Sequence, residues 1–385
     1  MRMAIFLIVF MTLYGSLHFY AFWVAKRAFR FHKQTGVVLG LFMGGMVFCP
    51  IMVRMVERQG MESLARVLAY VGYTWMGFLF LFVAAAFLLD VYRGGIFLVS
   101  RSTGRPGIKG KISPKTVFFL SLGATLVLGV YAQIEAISVQ TEHLVIETPK
   151  IPKEVGRLRI VQISDVHLGL IVGKWRLSRI MDAVRAANPD ILVSTGDLLD
   201  GQIDGIEILA KEFQKIKPPY GKYAVNGNHE YYVGIERAGN FCKSADFTLL
   251  RNETIDIPGM AVIVGVDDPA ANRFGLSGKV TEEQLLSGLS KERFVLLLKH
   301  RPLVTPASKG LFDLQLSGHT HRGQIFPFTL IIKMLYPIDS GLLNLENGAF
   351  LYVNRGAGTW GPPMRFLAPP EVTVIDLVHK KREKS

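Results

Sequence analysis

Leu314-Gln315-Leu316-Ser317-Gly318-His319-Thr320-His321 carries a short apolar run into a glycine and two histidines one residue apart. Such a run before a glycine reads as a strand delivered into a sharp turn. The same construction recurs upstream. Residues 159–164 lead into Asp165-Val166-His167, and residues 191–195 into Gly196-Asp197. Residues 222–225 lead across a short turn into Gly227-Asn228-His229-Glu230, and residues 294–298 into Lys299-His300-Arg301-Pro302. Five strand ends thus close on Asp, Asn or His.

Helical patterns over 175–187 and 206–215 separate the first strands, and further strands are predicted at 261–266, 350–354 and 371–377. This alternation predicts an α/β domain. Ligands of open α/β sheets gather outside the carboxyl ends of the strands, so five such ends converge on one place. Carboxylate mixed with imidazole suits borderline metals such as Mn, Fe and Zn. In an extended Asp-x-His, alternate side chains share a face, and both reach one ion. His-x-His does the same if extended, whereas a bend sends its two rings to different ions. The glycines let the backbone turn sharply beside the metals. Taken singly, each motif is an ordinary turn or cap. Taken together in this order they are not, and five of the nine histidines fall inside them.

The ordered run resembles the calcineurin-like metallophosphoesterase superfamily over roughly residues 158–378. The resemblance implies a sandwich of two mixed β-sheets flanked by helices, and two bound metal ions. It implies that Asp165, His167 and His321 hold one ion, that Asn228, His300 and His319 hold the other, and that Asp197 bridges both. His229 is implied to sit unligated over the substrate, as the catalytic group that stabilises the transition state or protonates the leaving oxygen. Further residues resemble a membrane-associated subgroup: Asn188-Pro189-Asp190, Gly323-Gln324, Asn354-Arg355-Gly356, Gly358, Pro363, Arg365, Pro370 and Glu371. The residue after His321 is often Gly in that subgroup and is Arg322 here. Arg322, Arg355 and Arg365 are candidate substrate contacts, because guanidinium matches phosphate oxygens in a bidentate way.

The first third of the 385-residue chain has a different texture. Apolar stretches at 4–24, 37–53, 67–89 and 117–137 each approach the ~20 residues a helix needs to cross ~30 Å of hydrocarbon. Mean hydropathy is +0.30. The predicted organisation is a four-span transmembrane region over 1–140 and a metallophosphoesterase domain over 155–380. Lys26, Arg27, Arg30 and Lys33 follow the first stretch, while Arg2 alone precedes it, so it reads as a retained anchor and not a cleaved signal.

Net charge is +13, yet residues 1–137 hold 14 Lys and Arg against 4 Asp and Glu, and the remainder 30 against 27. The excess lies between apolar runs, where it orients a membrane protein, and no basic face for nucleic acid is expected. The loops after the first and third stretches are the more basic, the latter through Arg93, Arg101, Arg105, Lys109, Lys111 and Lys115. Those loops are therefore predicted to face the cytoplasm, and the catalytic domain the periplasm or exterior. Two cysteines exclude a disulfide framework.

The expectation is a membrane-anchored, metal-dependent phosphoesterase whose partners are the lipid bilayer and an envelope or lipid-linked phosphoester, with no obligate protein partner evident. Two alternatives differ from it. One is a cytoplasmic-face pyrophosphohydrolase of a nucleotide-sugar lipid. The other is a non-catalytic scaffold, which predicts lost ligands where the sequence shows none lost.

Overall fold

The computed structural model describes residues 2–103, 112–201, 205–276, 278, 280–345 and 348–380. Arg105, Lys109 and Lys111 of the third loop, and the end of the basic tail, lie outside the described residues. The chain divides into two compact units, residues 1–134 with 361–364, and residues 135–360 with 365–385.

The first unit is built on α1 (Arg2–Phe29), α2 (Lys33–Arg58), α3 (Glu62–Ser102) and α4 (Pro114–Glu135). All four are long and apolar enough to cross a membrane. The chain is an integral membrane protein. Their outward Leu, Val and Phe side chains suit lipid, where a helix satisfies its own backbone. Pro50 is accommodated inside α2. The third stretch is longer than expected. α3 has 41 residues, about 60 Å at ~1.5 Å per residue, so Arg93 and Arg101 lie on a helix and not in a loop. Asp90 is satisfied near the end of its apolar run by Tyr20 Oη, which donates to it at 2.9 Å, and by Arg93 at 3.0 Å. His18 packs in place through Trp75 Nε1, which donates to its Nε2 at 2.9 Å.

The second unit is a pair of six-stranded mixed sheets. In the first sheet, β1 (Gln140–Thr148) pairs with β12 (Glu371–His379), followed by β2 (Arg157–Ile163), β3 (Ile191–Ser194), β4 (Lys222–Ala224) and β5 (Thr248–Leu249). In the second, β10 (Gly341–Asn344) pairs with β11 (Phe350–Val353), followed by β9 (Leu314–Ser317), β8 (Phe294–Lys299), β7 (Ala261–Val266) and β6 (Glu253–Ile257). β2, β3 and β4 run parallel, and so do β7, β8 and β9.

The inner strands are covered on both faces, which is why they read as continuous apolar runs. Ile160, Val193, Ile263, Leu296 and Leu316 meet in the core between the sheets. On the outside, α5 (Lys174–Ala187) buries Leu177, Ile180, Met181 and Val184. α9 (Glu282–Ser287) adds Leu286 to an outer cluster with Val262, Val264 and Leu297. α6 (Ile206–Gln214), α7 (Asn228–Val233), α8 (Ile235–Ser244) and α10 (Thr329–Leu335) complete the α-helices among the described residues. Asn188 ends α5 in the left-handed conformation, Pro189 prevents its continuation, and the Asp190 carboxylate accepts from Arg159 N at 2.7 Å.

The sheets pack tightly at Gly265, where a Cβ would collide with Leu250 Cβ and meet Val225 Cγ1 at 3.0 Å. Gly265→Ala should therefore overpack the core and cost about 1–3 kcal/mol. The readout is the thermal midpoint of the detergent-solubilised chain. An unchanged midpoint would show that the sheets do not meet at this strand.

Candidate metal centre

Every donor expected from the sequence lies at the carboxyl end of a parallel strand. Asp165 and His167 follow β2, and Asp197 follows β3. Asn228 opens α7 just beyond β4. His300 follows β8, while His319 and His321 follow β9. The two sheets thus contribute to one site from adjacent edges.

The loops do not run extended into the site. Asp165 (φ 50°), His167 (53°), Asp197 (53°), His319 (72°) and His321 (48°) are all left-handed. This corrects the expectation that Asp165 and His167 share a face as alternate residues of an extended segment. They converge because the chain coils. Such conformations cost ~1–3 kcal/mol each for residues with a side chain, so the surroundings must impose them. They do so through bonds from loop to loop. Asp165 N donates to Gly196 O at 3.0 Å and His167 N to Asp197 O at 3.0 Å. Gly318 N donates to His300 O at 2.9 Å, and Gly358 N to Asp165 O at 2.9 Å. Two glycines are demanded by close approach. A Cβ on Gly227 would strike Asp197, and one on Gly318 would strike Ser164 and Asp165.

Three groups of donors could each hold an ion: Asp165 with His167 and His321; His167 with Asp197 and His229; Asp197 with His300 and His319. His319 and His321 therefore serve different groups, the bent alternative for His-x-His. Asp197 has a divided task. Its Oδ1 accepts from His229 N at 2.9 Å. Its Oδ2 lies 3.2 Å from His300 Nε2 and 3.9 Å from His167 Nε2. Asp165 Oδ1 lies 3.4 Å from His321 Nε2.

The donor set fits a cation on further grounds. Asn228 Oδ1 is buried without a hydrogen-bond partner, an unusual state for a carbonyl oxygen. His167 Nε2 and His321 Nε2 face each other at 3.0 Å, as do His319 Nδ1 and His300 Nε2 at 3.1 Å. Burial pulls His167 and His319 down to about 3, leaving neutral rings with lone pairs to offer. His321 is also lowered, by burial and by Arg365 beside it. Burial alone would raise Asp165 and Asp197, but the neighbouring imidazoles override it and hold both carboxyls low, His321 acting on Asp165 and His300 with His229 on Asp197. Burial also opposes charge on His300, yet Asp197 pushes it up to about 10. This carboxylate therefore favours positive charge at that position. His300 Nδ1 is 2.8 Å from Thr195 O, which keeps Nε2 turned to the site.

His229 sits against His167, with ring centroids 4.6 Å apart. Burial would lower it, but Asp197 and then Asp200 raise it to about 9. Asp200 Oδ1 is 2.8 Å from His229 Nδ1. Sequence reasoning missed Asp200; its spacing of three residues after Asp197 in Gly-Asp-Leu-Leu-Asp was the available signal. It also missed the supporting role of Glu230. That carboxylate accepts from Asp197 N at 2.9 Å, Gly227 N at 2.7 Å and Leu199 N at 3.1 Å. Burial and Asp197 push it up to about 7, against those donors.

The three arginines part ways. Arg322 Nε lies 3.8 Å from Asp339 Oδ2, with its side chain 38% exposed. Arg355 is engaged instead by Glu142 at 2.6 Å and Glu371 at 2.9 Å. Arg365 is fully buried. It donates to the carbonyls of Gly358, Arg355, His321 and Gly356, and its Nη2 lies 3.0 Å from His321 Nδ1. Those contacts make Arg365 a brace for the site and leave it no face for substrate.

Two mixed sheets whose strand ends pool carboxylate, amide and imidazole donors around a shared Asp define a dinuclear metal hydrolase. More narrowly, this chain belongs to the calcineurin-like phosphoesterase family, whose profile matches residues 158–323. A relative named uncharacterized metallophosphoesterase, from Aquifex aeolicus, is 38% identical over 257 residues, 66% of this chain and 98% of its own. One of the same name from Helicobacter pylori is 31% identical over 309 residues, 78% of this chain and 80% of its own. A Danio rerio protein named transmembrane protein with metallophosphoesterase domain is 34% identical over 272 residues, 67% of this chain; the match spans 62% of the Danio rerio protein's length. With its four membrane-length helices, the chain is a membrane-associated, metal-dependent phosphoesterase.

Replacing Glu230 by Ala would leave three buried backbone N–H groups without acceptors. Each such loss costs ~1–3 kcal/mol, so a drop of at least about 3 kcal/mol is expected. Unfolding of the chelator-treated chain isolates this from metal binding, and a wild-type-like midpoint would remove Glu230 from the support of the site.

Proposed function

We propose that this phosphoesterase cleaves an envelope or lipid-linked phosphate ester, with Asp165, His167 and His321 holding one ion, Asn228, His300 and His319 the other, and Asp197 shared. The observation that carries this reading is the position of Asp197 Oδ2, which faces His300 from one group and His167 from the other. A carboxylate shared in this way would let Asp197 serve two ions at once. Mn, Fe and Zn all match these donors. Bound there, such ions supply an acidified water and neutralise charge developing on the phosphoryl oxygens.

The remaining steps fall to the chain. Asp200 holds His229 by Nδ1, so Nε2 carries the proton available to the leaving oxygen. An alkoxide leaves poorly, and a positioned acid contributes ~10²–10⁴-fold. Asp197 and Asp200 both push His229 upward, the direction that favours the protonated ring such an acid needs. Arg322, next to His321 in sequence and partly exposed, is the arginine that would grip a phosphate oxygen. Trp360 packs its ring against His229 at 5.8 Å and shields it from water.

The charge asymmetry of the loops supports a catalytic domain on the periplasmic or extracellular side. Lys26, Arg27, Arg30 and Lys33 cluster where the first helix ends and the second begins, against Arg54, Arg58 and Arg66 around the turn between the second and the third. Opposite placement would instead favour a nucleotide-sugar-lipid pyrophosphohydrolase. A reporter fused after Ser385 distinguishes them. Alkaline phosphatase activity is expected, and fluorescence of a cytoplasmic reporter would reverse the orientation.

Two variants test the roles in hydrolysis of soluble aryl and alkyl phosphodiesters with added manganese, with metal content measured in parallel. Asp197→Ala should lose both metal and turnover. His229→Gln should keep its metal, lose about 10²–10⁴-fold in kcat on an alkyl phosphodiester, whose alkoxide needs the proton, and lose far less on the aryl one. Full activity of Asp197→Ala would refute the site.

A further inference from the structure

We propose that α10, with the aromatic rim beside it, lies in the bilayer interface and delivers an amphiphilic phosphoester to the metal centre. The delivery role rests on the phosphoesterase reading above; the placement of α10 does not.

α10 is seven residues long, begins soon after the last metal-ligand candidate, and turns its apolar side chains outward. Met334 is 85% exposed, Leu335 65%, Leu330 54% and Ile331 47%. Thr329 alone is buried, its Oγ1 donating to Arg322 O at 2.8 Å. Phe326 and Phe328 lead into the helix and are also exposed. Isolated apolar residues on a surface are ordinary, but a contiguous patch marks an interaction site.

The patch is one structure and not a loose tail. Phe326 N donates to Phe366 O at 3.1 Å, and Phe366 N to Gln324 O at 2.9 Å. The Gln324 amide brackets Trp360, donating to its carbonyl and accepting from its N–H, each at 2.9 Å. Trp360 and Leu367, both about half exposed, thereby join the same face. The face also opens on the chemistry at two points. Trp360 packs against His229, and Tyr336, which follows α10, packs against His319 at 5.8 Å. An apolar tail lying on this surface would bring its headgroup to the metal donors.

Three features select lipid as the occupant. Only residues 136–139 separate the last membrane-length helix from β1, about 17 Å of chain at full stretch, so the domain cannot leave the bilayer. α10 contains no acid and exposes Lys333 among its apolar residues, a pairing that suits anionic headgroups with the lysine reaching outward. At about 10 Å it is too short to span hydrocarbon, so it lies in the interface.

The test uses the full chain, one copy per nanodisc, in phosphatidylcholine and phosphatidylglycerol at a ratio of about 3:1, a generic anionic bilayer. An environment-sensitive nitrobenzoxadiazole label is placed by Met334→Cys in a background of Cys49→Ala and Cys242→Ala. Glu283→Cys, exposed on α9, is the reference. The Met334 label should emit to the blue of the reference and be quenched several-fold more by lipid bearing a nitroxide near the top of its acyl chain. Equal quenching at both positions overturns the placement. A blue shift without lipid quenching means another protein surface covers the face, and overturns it equally.

Delivery is read with Leu330→Ser, Met334→Ser and Leu335→Ser combined. The rate on a soluble aryl phosphodiester should stay within about twofold, while the rate on a diacylglycerol aryl phosphodiester in the bilayer falls at least tenfold. A parallel fall on both, or on neither, removes the delivery role. If the wild-type chain cleaves neither substrate, the phosphoesterase reading fails, and the quenching result stands by itself.

Discussion

Two fully buried carboxylates, Asp165 and Asp197, share one pocket, and everything else at the sheet edges answers to that fact. Buried charge is tolerated only when opposite charge accompanies it. Here the compensation comes from imidazoles that approach from both sheets, His321 toward Asp165 and His300 toward Asp197. Asp197 has one oxygen fixed by the His229 amide, so the other is committed to the space between the two histidine groups. The pocket holds more negative charge and more lone pairs than its own protons balance well. Divalent cations resolve both at once, which ties the packing of the domain to its chemistry.

That arrangement requires backbone conformations most residues avoid, and the structure shows what enforces them. Each loop hangs on the next through main-chain hydrogen bonds, from Asp165 to Gly196, His167 to Asp197, and Gly318 to His300. Arg365 finishes the work from beneath. Its guanidinium binds carbonyls on either side of the strand-end cluster and contacts His321 directly. Glu230 does the same from the opposite side by collecting three amides. Donors held this way keep their spacing without reorganising when charge develops.

How much of this is legible in the sequence depends on the scale of the feature. The strand ends and their terminal Asp, Asn and His could be read because parallel strands place such residues together whatever the local turn does. The four membrane stretches could be read because ~20 apolar residues have few other uses. Backbone handedness could not. Asp165-Val166-His167 looks extended by composition, and the left-handed turn is imposed by Gly358 and Gly196 from elsewhere in the chain. The partners of Arg355 and Arg365 were hidden for a related reason. Arg355 and Arg365 look like phosphate ligands until the acids and carbonyls that occupy them are seen, and those partners are distant in sequence. Asp200 went unnoticed because its meaning depends on where the His229 ring points. The length of α3 was hidden by Arg93, which is satisfied on the helix by Asp90.

The exposed face of α10 poses a question of cost that bears on why the enzyme carries an anchor at all. Burying a Leu, Ile or Met side chain fully is worth ~1.5–3 kcal/mol, and four such chains are left outward on one short helix. A domain that diffused freely in water would gain by covering them, through a partner or through aggregation. Attached to membrane helices, it has an apolar phase within reach at all times, and the same residues become useful. Tethering also raises the local concentration of lipid far above that of a soluble competitor, so affinity for a headgroup need not be high. On the proposed placement of α10, anchor and apolar rim would act toward the same end, selection of substrate by the phase in which it resides, while the metal donors would need to recognise only the phosphate.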